Sequence, residues 1–226
     1  MGGFINQNLN LEFERSLYEI ILNMLIKSSI LMKKECVANY IKVANHEEKI
    51  RNHLLENYLE NNEVRSKIGF SGIAVRFIPE ALENHNQNTD TFVGRTDIKV
   101  VSENWLFGNN KDYYIVECKR IDGSKDLNKK YVDDGICRFV NLPLKYSSFH
   151  NKNIMFGFVV KNINIELNTS KISKLHDDKL NKITVQNLTL VKSIKEEDLY
   201  LYESDYNLGL RNIGLNHIFY DFSLII

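Results

Sequence analysis

Apolar residues at Leu17, Ile20, Ile21, Met24 and Leu25 recur at the three- and four-residue steps of a helix with one buried face. This predicts an amphipathic helix over residues 11–32, its stripe serving packing or an oligomer contact. Mixed helical character runs on through 33–44. Asn45 then offers an N-cap ahead of Glu47 and Glu48, acids that suit the positive end of a first turn, so a second helix is expected over 46–61. Its inward face is Ile50, Leu54, Leu55, Tyr58 and Leu59. Glu47 and Arg51 fall near the centre of the same stripe at about 100° per residue, where a charge needs a reason. A mutual pair at i,i+4 is one such reason.

The period then shortens to two. Residues 67–77 have the alternating, β-branched look of a strand, and Pro79-Glu80 opens a loop that continues through the Asn-rich 83–90. A strand over 93–101 carries Asp97. In the connection that follows, Trp105 and Phe107 near Gly108-Asn109-Asn110 suit core packing or a hairpin cap, with stacking on a base as the alternative. Residues 113–120, YYIVECKR, read as a central strand in which Glu117 and Lys119 share one face while Val116 and Cys118 share the other. If the two strands pair, Asp97 sits beside Glu117.

After a break at 123–128, a helix over 129–141 turns Val132, Ile136, Phe139 and Val140 to the sheet and stops near Pro143. The unbroken apolar run 154–160 suits a strand buried on both faces. Residues 175–182 read as a short polar helix or loop, 183–192 and 199–203 as strand-like patches, and 217–226 as a final strand with His217 in a structural role. The order helix, three strands, helix, strand is that of an α/β protein with a central mixed sheet flanked by helices and an added N-terminal helix.

Composition narrows the class. With 226 residues, 43% hydrophobic and 26% charged, the chain suits one domain, and no apolar run is long enough for a membrane span. Residues 1–10 are polar, without the charged leader and apolar core of a secretory signal, so a cytoplasmic location is expected. Cys36, Cys118 and Cys137 show no paired spacing and are expected to be reduced and structural. Basic and acidic residues balance at 29 each, which gives no global attraction for a polyanion. A local basic patch or a partner must supply it.

Two carboxylates and a lysine converging on a sheet form a metal and phosphodiester constellation, because hard oxygens take Mg²⁺ or Mn²⁺ and an ammonium can orient a water or offset charge on phosphorus. Asp97, about twenty residues and then Glu117-Cys118-Lys119 resembles the signature of the PD-(D/E)xK nuclease superfamily, with Thr96-Asp97 in place of Pro-Asp. The resemblance covers residues 47–160. It implies a restriction-endonuclease-like fold in one domain: a helical extension at 1–44, the catalytic core at 45–160, and strands at 161–226 that complete it. It also implies that Asp97, Glu117 and the main-chain carbonyl of Cys118 hold Mg²⁺ (or Mn²⁺), that Lys119 positions the attacking water, and that Glu47 completes the acid set, with Glu80 as the other candidate for that place. Arg138 is a candidate phosphate clamp, its fork matching two phosphoryl oxygens, and a salt bridge to Asp134 at i,i+4 is the competing reading.

The activity implied is a metal-dependent DNA endonuclease acting on double-stranded DNA, as a homodimer or with a partner protein of a restriction or anti-phage defence system. A non-catalytic nucleic-acid-binding or structural subunit on the same fold and an RNA-cleaving relative are the alternatives. No helix-turn-helix or zinc-finger pattern points to sequence specificity.

Overall fold

A computed structural model describes residues 7–102 and 113–226; Trp105, Phe107 and the turn at 108–110 lie outside them. The element order is α1 (Gln7–Ala38), α2 (Glu47–Leu54) running into a π-helical turn (Leu55–Leu59), α3 (Asn62–Lys67), β1 (Val75–Pro79), β2 (Leu82–Asn86), β3 (Thr91–Arg95), β4 (Ile98–Ser102) and β5 (Tyr113–Ile121). Then come α4 (Lys125–Tyr131), a second π-helical turn (Val132–Ile136), α5 (Cys137–Val140), β6 (Lys152–Val159), α6 (Ile165–Leu180), β7 (Thr184–Ile194), β8 (Leu199–Asn207) and β9 (Asn212–Asp221).

Seven strands form one sheet in the order β1-β4-β5-β6-β9-β8-β7, while β2 and β3 form a separate hairpin. The inner trio β5, β6 and β9 is parallel, and every pairing outside it is antiparallel. The fold is therefore mixed α/β with a central mixed sheet between helices, and the strands after residue 161 belong to the same sheet as β4 and β5. Strand alternation sorts β5 between two apolar layers. Val116 and Cys118 pack with Ile21, Met24 and Leu25 of α1 and Ile50 and Leu54 of α2. Ile115 and Ile121 pack with Val132, Ile136, Phe139 and Ile172 from the opposite helices.

Several boundaries differ from the sequence reading, each for a local reason. The stretch 67–77 is mostly not strand: α3, capped by the Asn61 side chain on the N–H groups of Glu63 and Val64, ends at Lys67. Gly69 and Gly72 then take φ values of 85° and 73°, left-handed conformations that interrupt any strand until Val75. The polar stretch 83–90 is largely the hairpin β2–β3. Residues 93–101 split at Thr96-Asp97, where Thr96 N–H donates to the Ala81 carbonyl (2.9 Å) and Glu80 N–H to the Asp97 carbonyl (3.1 Å). The second core helix starts at Lys125, because Ser124 Oγ accepts from Leu127 N–H at 3.3 Å. Residues 175–182 close the 16-residue α6, which Asn164 caps through Leu167 N–H. That helix hides in the sequence because its buried side includes Asn168, Thr169 and His176. The last strand ends at Asp221, and the chain closes in a short 3₁₀ turn, Ser223–Ile225. No helix of the described residues is long and apolar enough to cross a membrane.

Candidate active site

The site is a notch in the sheet. β4 pairs with β5 only from Ile98↔Val116 to Val101↔Tyr113, whereas β5 continues to Ile121. Beyond Val116 the edge of β5 that faces β4 has lost its ladder partner, and buried backbone N–H groups must find other acceptors. Two carboxylates supply them. Asp97, one residue ahead of β4, accepts from Cys118 N–H through Oδ2 at 2.7 Å, and Glu47, first residue of α2, accepts from Arg120 N–H through Oε2 at 3.1 Å. The acids thus continue the ladder that β4 abandons.

Lys119 closes the notch from the opposite layer, on the same face as Glu117. Its Nζ lies 2.7 Å from Glu117 Oε1, 2.8 Å from the Cys118 carbonyl, 3.1 Å from Glu47 Oε1 and 3.7 Å from Asp97 Oδ2. Around this focus stand three further groups. Arg51, a buried guanidinium on α2, spans Asp97 Oδ1 at 3.1 Å and Glu80 Oε1 at 2.8 Å. Arg138 Nη1 is 3.1 Å from Glu117 Oε1 and donates to Tyr146 Oη at 2.7 Å. The Tyr146 hydroxyl in turn donates to Glu117 Oε2.

The electrostatics follow from burial among like and unlike charges. Glu117 is fully buried, and desolvation together with the neighbouring Asp97 carboxylate pushes its carboxyl up to about 7 against the pull of Lys119 and Arg138. Burial works against the Lys119 ammonium, yet Glu117, Asp97 and Glu47 hold its pKa above the usual lysine range. Arg138 is held up in the same way, with Glu117 as the main opposing charge to its desolvation. Glu80 is lowered, chiefly by its hydrogen bond from Arg51. Desolvation raises the Cys118 thiol well above its ordinary value, so the thiol is kept protonated and faces the apolar layer.

The expected residues come together with specific departures. Asp97, Glu117, Lys119 and Glu47 share the focus, with the Cys118 carbonyl among them. Glu80 does not reach it: its carboxylate is taken by Arg51 and Arg95 (3.2 Å) at the rim. Glu47 and Arg51 do not pair with each other, since each reaches a different part of β5 and its flank. Asn45 does not cap α2; His46 holds that position, and Asn45 accepts from Arg120 Nη1 through its carbonyl and its side chain at 2.8 and 2.9 Å. Arg138 faces Glu117 and Tyr146 rather than Asp134. Sequence reasoning missed Tyr146 and gave Arg51 no place of its own in the site. The one signal for Arg51 was a charge on an apolar stripe, and Tyr146 sits in an aperiodic loop that gives none.

Over 142 residues the chain is 28% identical to a C2 domain-containing protein of Plasmodium falciparum (isolate 3D7), an overlap of 54% of this chain and 8% of that protein. The chain therefore spans less than a tenth of the length of this relative. No protein-family model and no solved structure matches it.

The donor set suits a hard divalent cation: oxygens of Glu47, Asp97 and Glu117 and one main-chain carbonyl, all directed at one cationic nitrogen. As they stand, no three acidic, His or Cys side chains among the described residues are spaced as a metal site. The Lys119 ammonium stands among these carboxylates, hydrogen-bonded to Glu47 and Glu117 and 3.7 Å from Asp97.

Proposed function

We propose that the chain is a metal-dependent DNA endonuclease of the PD-(D/E)xK type, on a restriction-endonuclease-like core. The observation that carries this reading is the meeting of Asp97, Glu117, Lys119 and Glu47 from three separate elements at the point where β4 leaves β5. The strand order β1-β4-β5-β6, with an antiparallel trio followed by a helix and a parallel strand, supports it.

Asp97, Glu117, the Cys118 carbonyl and Glu47 would hold Mg²⁺, or Mn²⁺ in its place. When bound, such an ion supplies Lewis-acid stabilisation of the leaving oxygen. The chain's own residues do the rest. Lys119 orients a water for in-line attack on phosphorus and offsets the charge that develops there. Arg138, tied through Nη1 to Glu117 and Tyr146, presents a pre-set guanidinium to a phosphoryl oxygen. Arg51 holds Asp97, and Tyr146 fixes the Glu117 carboxylate.

Double-stranded DNA is the proposed substrate. The balanced charge of the chain favours a subunit that acts as a homodimer or with a partner protein, as in a restriction or anti-phage defence system. A second reading, a non-cutting binding or structural module, draws support from the closed ion network around Lys119. Incubation of supercoiled plasmid with Mg²⁺, Mn²⁺ or EDTA separates the two: metal-dependent nicking is expected, and binding without nicking under either ion would favour the module. Cleavage of single-stranded RNA but not duplex DNA would reassign the substrate.

A further inference from the structure

We infer that the Lys119 ammonium occupies the cation position of the notch and must leave it before a divalent ion enters, so that the protein's own lysine gates metal loading. The inference rests on the nuclease reading and concerns the regulation of that site.

Four oxygens surround the Lys119 ammonium. Each of the three carboxylates has one oxygen engaged elsewhere: Glu47 Oε2 by Arg120 N–H, Asp97 Oδ1 by Arg51, and Glu117 Oε2 by Tyr146. The other oxygen of each lies within 3.7 Å of Lys119 Nζ, although Asp97 Oδ2 also accepts from Cys118 N–H at 2.7 Å and Glu117 Oε1 is also 3.1 Å from Arg138 Nη1, and the Cys118 carbonyl adds a fourth at 2.8 Å. A lysine placed only to handle a water need not meet every oxygen of the ligand set. Here it meets all four. The Lys119 side chain is 9% exposed, so the ammonium itself is largely shielded from bulk water. Mg²⁺ binds such oxygens at roughly 2.0–2.1 Å, and an ammonium cannot remain at the same focus once they contract around it.

The charges point the same way. Glu47, Asp97 and Glu117 each have a cation beside them, from Lys119, Arg138 and an Arg51 shared with Glu80, so no carboxylate of the metal-free notch lacks a positive neighbour. A divalent ion adds two positive charges. Outward movement of the ammonium relieves them and carries it towards the place where a water and a phosphate would lie. Metal-free protein is on this account held closed, and metal entry is the step that frees Lys119 for its part in the chemistry.

Calorimetric titration with Mn²⁺, without nucleic acid, tests this on the wild-type chain, Lys119→Met and Arg138→Met. Both variants remove one positive charge beside Glu117, but only the first empties the focus. Lys119→Met is expected to bind Mn²⁺ about tenfold or more tightly than wild type, and Arg138→Met to change affinity by less than about threefold. Equal affinity in Lys119→Met and wild type, or equal tightening in both variants, overturns the gate and leaves the nuclease reading standing. No Mn²⁺ binding by any of the three overturns both. A wild-type measurement covers the case in which Lys119→Met does not fold. Acetylation of Lys119 by acetic anhydride, which transfers one acetyl group to Nζ and releases acetate, read by mass spectrometry, should be slow in EDTA and about tenfold faster with Mn²⁺. An unchanged rate overturns the gate.

Discussion

Glu117 and His217 stand in one row across the parallel strands, since Glu117 pairs with Met155 of β6 and Met155 with His217 of β9. Both are fully buried on the same face of the sheet, yet their surroundings differ in kind. His217 belongs to a neutral chain: Nδ1 meets Tyr131 Oη at 3.0 Å, Nε2 meets Ser204 Oγ at 2.7 Å, and Ser204 leads through Tyr206 to His176. Glu117 belongs to a cluster of full charges. What separates them is the state of the neighbouring strands. β9 is paired on both sides, so its backbone is satisfied and its polar side chains need only one another. β5 loses β4 after Val116, and the acids that satisfy its edge bring their countercharges with them. Buried neutral networks specify packing; charged ones with perturbed pKa values mark candidate functional sites, and the nuclease proposal rests on this one.

The contrast is broken most severely at Lys119. Lys119→Ala should lower Mg²⁺-dependent plasmid cleavage by roughly 100- to 1,000-fold, the range for removing one group that stabilises developing charge, and wild-type rates in that variant would remove Lys119 from the mechanism. Asp97→Asn comes next. It should reduce Mn²⁺ affinity and cleavage together, measured by titration and by plasmid nicking, and undiminished cleavage would exclude Asp97.

Glu117→Ala should cost about 3–5 kcal/mol in urea unfolding, because Lys119 and Arg138 lose the carboxylate that neutralises them in a buried site. His217→Phe should cost less, about 1–3 kcal/mol, since Tyr131 loses its hydrogen-bond partner and Ser204 keeps only Tyr206, and should leave cleavage unchanged. Loss of cleavage in a folded His217→Phe protein would erase the distinction between the two clusters.

The pH dependence tests the neutral cluster by itself. Burial, with His176 beside it, lowers His217 to about 3, below its value of about 6.5 in an unfolded chain. The unfolded state therefore binds the proton first as pH falls, and stability should drop by at most about 1.4 kcal/mol per pH unit between about 6.5 and 3. The difference between wild type and His217→Phe in urea titrations at pH 7 and pH 5 isolates this contribution, and a pH-independent difference would show that His217 titrates normally.

Much of the site can be read from the chain. Alternation along residues 113–120 places Glu117 and Lys119 together, the spacing back to Asp97 suggests its strand partner, and a glutamate on the apolar stripe of α2 marks Glu47. The choice between Glu47 and Glu80 is not legible, because it depends on the split at Thr96-Asp97 and on how far β4 runs beside β5. Tyr146 and the present partners of Arg51 are long-range consequences of packing, separated from their targets by 29 residues or more, and no local period encodes them. The helix α6 was obscured for the opposite reason: its periodicity is real, but polar residues such as His176 sit on its buried side, where the Tyr206 hydroxyl satisfies the ring.

On the proposed reading, the notch beside β4 takes a divalent ion among Asp97, Glu117 and the Cys118 carbonyl. Anomalous diffraction from crystals grown with Mn²⁺ tests it most directly. A peak within about 2.0–2.4 Å of those oxygens, with Lys119 Nζ moved out of the focus, is the expected result. Carboxylates still gathered on Lys119, with no peak in the notch at millimolar Mn²⁺, would contradict it.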